Sequence, residues 1–254
     1  MRFPTLPLST LPLVTSGTLV FLCAVAGTSA RATGHRCPNG SVSVEGQFCI
    51  DRYEGSLVEV MPRGRTRRWN PYTPPARDAA FRAVSRRGLI PQAYVSQNVA
   101  RAACLAAGRR LCTEPEWVLA CRGSQRLQYP YGNEHVSGRC NDSRENPVPR
   151  VFPGSADVFH ERQMNDPRLN ALPDTLARAG EFARCRTRNG VFDMVGNLHE
   201  WVDATTSDGR LGVFRGGFYA DARQNGRGCA YATRAHYPGY HDYSTGFRCC
   251  ADVR

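Results

Sequence analysis

Gly190-Val191-Phe192-Asp193-Met194-Val195-Gly196-Asn197-Leu198-His199-Glu200-Trp201-Val202 is the stretch on which the fold turns. It sets two carboxylates, Asp193 and Glu200, on either side of Gly196, whose missing Cβ permits a tight backbone path. Taken alone, it reads as a structural turn in which Glu200 caps backbone amides and Trp201 packs into a core. Further blocks stand outward from it. Upstream are Gln47-Phe48-Cys49-Ile50-Asp51-Arg52-Tyr53-Glu54, then Ala107-Gly108-Arg109-Arg110-Leu111-Cys112-Thr113-Glu114-Pro115-Glu116-Trp117, then Tyr129-Pro130-Tyr131-Gly132-Asn133. Downstream are Arg215-Gly216-Gly217 and Gly246-Phe247-Arg248-Cys249.

Two helices can be placed between these blocks. The first runs from Gln97 to Ala107, with Ser96 as N-cap and Gly108 as stop. The second begins at Thr113. Thr113-Glu114-Pro115-Glu116 is a capping box with proline in the first turn. Trp117, Ala120 and Cys121 follow on one face at helical spacing, and Gly123 ends the helix. Short strands are expected at Gln47–Tyr53, Leu211–Arg215 and Gly246–Cys250. Residues 141–188 read mostly as loop, punctuated by Pro147, Pro149, Pro153, Pro167 and Pro173. Ordered loops of that length need disulfides or bound metal to hold them.

Residues 1–32 read as a signal peptide. Arg2 supplies the positive end, an apolar stretch peaks at Leu19–Ala26, and small residues offer cleavage after Ala30 or Ala32. A lipid anchor on Cys23 is the weaker alternative, because Leu22 stands where a small residue is wanted. Residues 33–254 then form one domain, with no later segment apolar enough to span a membrane. Of the 11 cysteines, setting Cys23 aside leaves an even, dense set, which behind a signal peptide reads as a disulfide framework. No CxxC pair supports zinc. The expected location is secreted, periplasmic or cell-surface. The formal charge is +11, and all 33 basic residues are arginine. Nucleic-acid binding would need a basic stripe with interleaved aromatics. The basic cluster Arg63-Gly64-Arg65-Thr66-Arg67-Arg68 reads instead as a solvated loop with some attraction for an acidic surface.

The blocks, in this order, resemble the formylglycine-generating-enzyme (sulfatase-modifying factor) family, and they cover nearly all of the chain after the leader. The resemblance implies an α+β, C-type-lectin-like fold: loop-rich, with about two main helices and few short strands, stapled by disulfides. It implies calcium ligated by Asp193, Gly196, Leu198 and Glu200. Carboxylates and backbone carbonyls are hard oxygen donors suited to a hard cation. A second calcium site would use Asn141 and Asp142. Family bridges carry over as Cys104–Cys249 and Cys121–Cys229. The remaining pairs, Cys37–Cys49, Cys140–Cys185 and Cys112–Cys250, follow from proximity and elimination.

The family's oxidases hold Cu(I) on two cysteines shortly after the Arg-Gly-Gly motif, soft thiolates on a soft cation. The corresponding positions here are Asp221 and Gly226, and Phe218 replaces the usual serine. Copper is therefore not expected. Asp221, His236 and His241, with Asp242 and several tyrosines nearby, form the candidate pocket for a different metal. The competing reading is a polar, packed surface without chemistry, and His199 receives the same reading. The expectation is an exported, calcium-stabilised binding or scaffold module for a protein, peptide or glycan, without the copper cysteines. The alternative is an oxidoreductase of the same family, of the formylglycine-generating type or a His/Asp metal-dependent variant.

Overall fold

The first strand, β1 (Ser41–Val44), pairs antiparallel with the fully buried β2 (Phe48–Asp51). The turn between them uses Glu45 and Gly46, both at positive φ. The computed structural model describes Met1 and residues 37–155 and 160–254. The expected signal peptide, its cleavage sites and Cys23 lie outside the described residues.

Next come β3 (Ser56–Val60), β4 (Thr66–Arg68) and β5 (Phe81–Val84), a separate antiparallel sheet in the order β4-β3-β5. The sequence reading missed this sheet and placed Arg67 and Arg68 on a loop. They sit on its edge strand, fully in solvent, so burial gives that strand no apolar signature. Helix α1 (Gln97–Ala106) follows, with the Ser96 hydroxyl accepting from Val99 N. Then come β6 (Arg110–Leu111) and α2 (Glu114–Arg122). The capping box at α2 is complete in both directions, and Trp117, Ala120 and Cys121 are the face it buries.

The segment expected to be loop contains three single-turn helices, α3 (Val148–Val151), α4 (Glu161–Met164) and α5 (Arg168–Ala171). The chain returns to strands at β7 (His199–Thr205), β8 (Gly212–Arg215) and β9 (Ala232–His236). The last expected strand is two, β10 (Thr245–Phe247) and β11 (Cys249–Asp252). The break falls at Arg248, whose side chain is completely buried. β10 runs parallel to β7 in the sheet β10-β7-β8-β9, while β11 lies between β2 and β6 in the sheet β1-β2-β11-β6. Arg248 is thus the step from one sheet to the other.

Residues His35–Arg254 form one compact unit. Its core holds Trp117 and Trp201, both without solvent exposure, and each indole N–H has a partner. Trp201 donates to Val95 O at 2.8 Å, and Trp117 donates to Glu200 Oε2 at 2.7 Å. Five disulfides close the unit: Cys37–Cys49, Cys104–Cys249, Cys112–Cys250, Cys121–Cys229 and Cys140–Cys185. These are the five pairs set out from the sequence. The fold is α+β and loop-rich.

Candidate functional site

The quoted stretch folds into a turn and then β7. Asp193 and Asn197 both adopt positive φ, and Gly196 lies between them at +78°. A Cβ at Gly196 would sit 2.1 Å from Asn141 O, so only glycine fits this approach. Asn141 binds the turn from outside. Its carbonyl accepts from Asn197 N, and its amide donates to Asn197 Oδ1 and Thr175 O. Its Oδ1 accepts from Arg144 Nε. Asp142 Oδ2 lies 2.9 Å from His135 Nε2.

Behind the turn is a buried ionic cluster. Arg248 donates through Nε and Nη2 to the two oxygens of Glu200, at 2.6 and 2.5 Å, and both residues are buried. Glu54 enters from the loop after β2 and accepts from Asn197 Nδ2 and Leu198 N. Asp193 accepts from Gly180 N at 2.6 Å. Burial, reinforced by the charges of Asp193 and Glu200, pushes the Glu54 carboxyl well up. Burial also pushes Asp193 up to about 7, against the hydrogen bond from Gly180. Burial alone would lower Arg248; the charge of Glu200 overrides it, and the guanidinium is held above its ordinary value. Three carboxyl groups therefore crowd one guanidinium, and burial makes two of them hold their protons more tightly than usual. Glu200, however, already has Arg248 on both oxygens and Trp117 on one. Among the described residues, no three His, Cys, Asp or Glu side chains converge to hold a metal.

The second region follows Arg215-Gly216-Gly217. Asp221 Oδ1 accepts from Arg223 N and Gln224 N, and its Oδ2 accepts from the Tyr231 hydroxyl at 3.0 Å. Tyr231 Oη lies 3.2 Å from His199 Nε2, His199 Nδ1 lies 3.1 Å from Ser244 Oγ, and Ser244 donates to Asp242 Oδ1 at 2.7 Å. A buried polar chain thus joins Asp221 to Asp242 through His199. Burial pushes His199 down to about 3, so the ring is neutral and has a single N–H. One of the two hydroxyls must then turn from its carboxylate to the ring. Phe218, in the place of the family's serine, packs on His199, Tyr219 and Tyr243.

Asp221, His236 and His241 each have separate partners. His236 stacks on Tyr240 at 3.9 Å between centroids, and His241 Nδ1 lies 2.7 Å from Asn165 Oδ1. Burial lowers both imidazoles. Gly226 has φ +109°, and a Cβ there would lie 2.8 Å from Ala230 O. All ten cysteines among the described residues are in disulfides. Sequence reasoning assigned no role to Glu54 or Arg248, although both stand in quoted blocks. It also missed Tyr231 and Ser244, which only tertiary folding brings to His199.

Two curated proteins, both named "Inactive C-alpha-formylglycine-generating enzyme 2", are each 31% identical to the chain. The one from cattle (Bos taurus) matches over 168 residues, and the one from mouse (Mus musculus) over 173. Those matches cover 64% and 65% of this chain and 50% of each relative, so the chain spans about half their length. Among solved structures, CarF is similar at 22% identity and a TM-score of 0.36, covering 57% of this chain and 48% of its own. The Major Tropism Determinant U1 variant is similar at 15% identity and 0.46, covering 87% and 54%. The sulfatase-modifying factor enzyme 1-like domain matches residues 16–253, and the chain belongs to that family.

Proposed function

We propose that this chain is an exported, non-catalytic member of its family, a calcium-stabilised binding or scaffold module. The observation that carries the reading is the segment after Arg215-Gly216-Gly217. Cys229, its one cysteine, is bonded to Cys121. Asp221 holds its own loop and Tyr231, and position 226 has no room for a side chain. No soft ligand pair for Cu(I) is left there. The names of the cattle and mouse relatives agree with a loss of activity. Export is supported by the disulfide density, which belongs to an oxidising compartment.

The test is to incubate the purified, oxidised protein with Cu(I), oxygen and a cysteine-containing sulfatase peptide, and to follow the peptide by mass spectrometry. The expected result is an unchanged peptide. Conversion of its cysteine to an aldehyde overturns the reading. Calcium is proposed at Asp193, Gly196, Leu198 and Glu200, because buried carboxyl groups outnumber the one guanidinium there and a bound cation would favour their ionised forms. Calcium at about 100-fold above its Kd is expected to raise the melting temperature by several degrees over a chelated sample. An unchanged melting temperature would mean that Arg248 and bound protons neutralise the cluster unaided.

A further inference from the structure

Arg184-Cys185-Arg186-Thr187-Arg188 alternates exposed and buried, residue by residue. The inward positions are fixed. Cys185 is bonded to Cys140, while Thr187 N donates to Val191 O and the Thr187 hydroxyl accepts from Val191 N. Arg186 pairs with Phe192 in an antiparallel bridge, between turns that hold Arg184 and Arg188. The three exposed positions, Arg184, Arg186 and Arg188, are all arginines. They line a cleft of about 590 Å³ with a fourth arginine, Arg139. Arg139 is held in place: its Nε donates to Arg184 O, and its guanidinium lies 4.4 Å from the centre of the Tyr131 ring.

No aspartate or glutamate lines this cleft. Among the described residues, none of these four arginines has a carboxylate within ion-pair distance, whereas Arg67, Arg101, Arg109, Arg110, Arg215 and Arg248 all do. The cleft continues into a second of about 180 Å³ that shares Arg188 and Thr187. The carboxylate there, Glu45, accepts from Ser124 N. Guanidinium forks match sulfate and other tetrahedral oxyanions bidentately, and each such pair is stronger than a neutral hydrogen bond. Several unpaired forks lining one cleft select a ligand that carries several negative charges.

We propose that this cleft binds a linear sulfated glycan, with Arg184, Arg186 and Arg188 engaging successive sulfates and Arg139 closing one side. The proposal rests on the binding-module reading and names that module's ligand.

The test uses the full, oxidised chain and a heparin oligosaccharide, with calorimetry over a series of salt concentrations. Wild type is expected to bind with affinity that falls steeply as salt rises. The triple variant Arg184→Ala/Arg186→Ala/Arg188→Ala is expected to bind at least tenfold more weakly at an unchanged melting temperature. Arg63→Ala/Arg65→Ala, on the exposed hairpin before β4, is expected to stay within twofold of wild type. Equal affinity of the triple variant and wild type overturns the site. Equal binding of the desulfated oligosaccharide, or tighter binding of polyphosphate or single-stranded DNA of matched charge, overturns the ligand class. Absent heparin binding with no aldehyde formed on the sulfatase peptide removes this inference alone. Aldehyde formation removes the module reading itself.

Discussion

Arg248 neutralises Glu200 inside the protein, and Glu54 and Asp193 crowd the same space. Replacing it with methionine keeps the bulk and removes the charge. The expected cost is about 3–5 kcal/mol, the range for leaving a buried partner unpaired. Urea unfolding measures it, and a loss below about 1 kcal/mol would show that protonated carboxyls already carry the cluster. A second residue-scale test concerns the copper positions. Asp221→Cys/Gly226→Cys restores the thiols on paper, yet Gly226 sits at a φ and in a space that exclude a Cβ. The double variant is expected to lose about 1–3 kcal/mol from backbone strain and to gain no aldehyde-forming activity. Activity in that variant would mean that two thiols alone suffice. Gly196→Ala is expected to fail to accumulate as folded protein, because the Asn141 carbonyl that would have to move also holds the turn.

Helices and strands differed in how openly the sequence declared them. α2 was legible to its ends because its signals are local: Thr113 and Glu116 exchange hydrogen bonds, and Gly123 closes the last turn. Thr113→Ala is expected to cost about 1 kcal/mol, read as a lowered melting temperature. Strands β3 to β5 went unread because each is short and partly exposed, and their partners lie in one another. The split between β10 and β11 was invisible for another reason. An arginine in an apolar run gives no local sign that a glutamate and two sheets await it. The Cys121–Cys229 bond ties α2 to the segment after β8. Its removal as Cys121→Ser/Cys229→Ser is expected to cost about 2–5 kcal/mol while leaving the peptide assay negative. Gain of oxidation in a Cys121→Ser variant alone, which frees Cys229, would reopen the catalytic question.

At the scale of the molecule, family and fold were legible because the blocks lie in order along almost the whole chain, and each occupies a packed position. Glu54, Asp193, Glu200 and Arg248 come from three of them and meet in one cluster. The site was less legible. His199 sits between Tyr231 and Ser244, some distance along the chain in each case, and the pairing of β7 with β10 on one side and, through β8, with β9 on the other gathers them. Arg184, Arg186 and Arg188 lie in a stretch that the sequence reads as loop and the structure builds from turns around one bridge; that they share a cleft with Arg139 is visible only in the folded chain.

Cys249 and Cys250 are neighbours, yet one bonds Cys104 and the other Cys112, across separations of 145 and 138 residues. Neither bond can form before residue 250 has left the ribosome. Until then Cys104 and Cys112 remain as thiols, close in sequence to each other and to Cys121 and free to pair wrongly. The order of synthesis therefore runs against the order of oxidation. Oxidative folding of this protein is expected to depend on a disulfide isomerase. Pulse-labelled chains trapped with an alkylating agent should show the bonds of Cys104 and Cys112 maturing only after residues 249 and 250 have emerged.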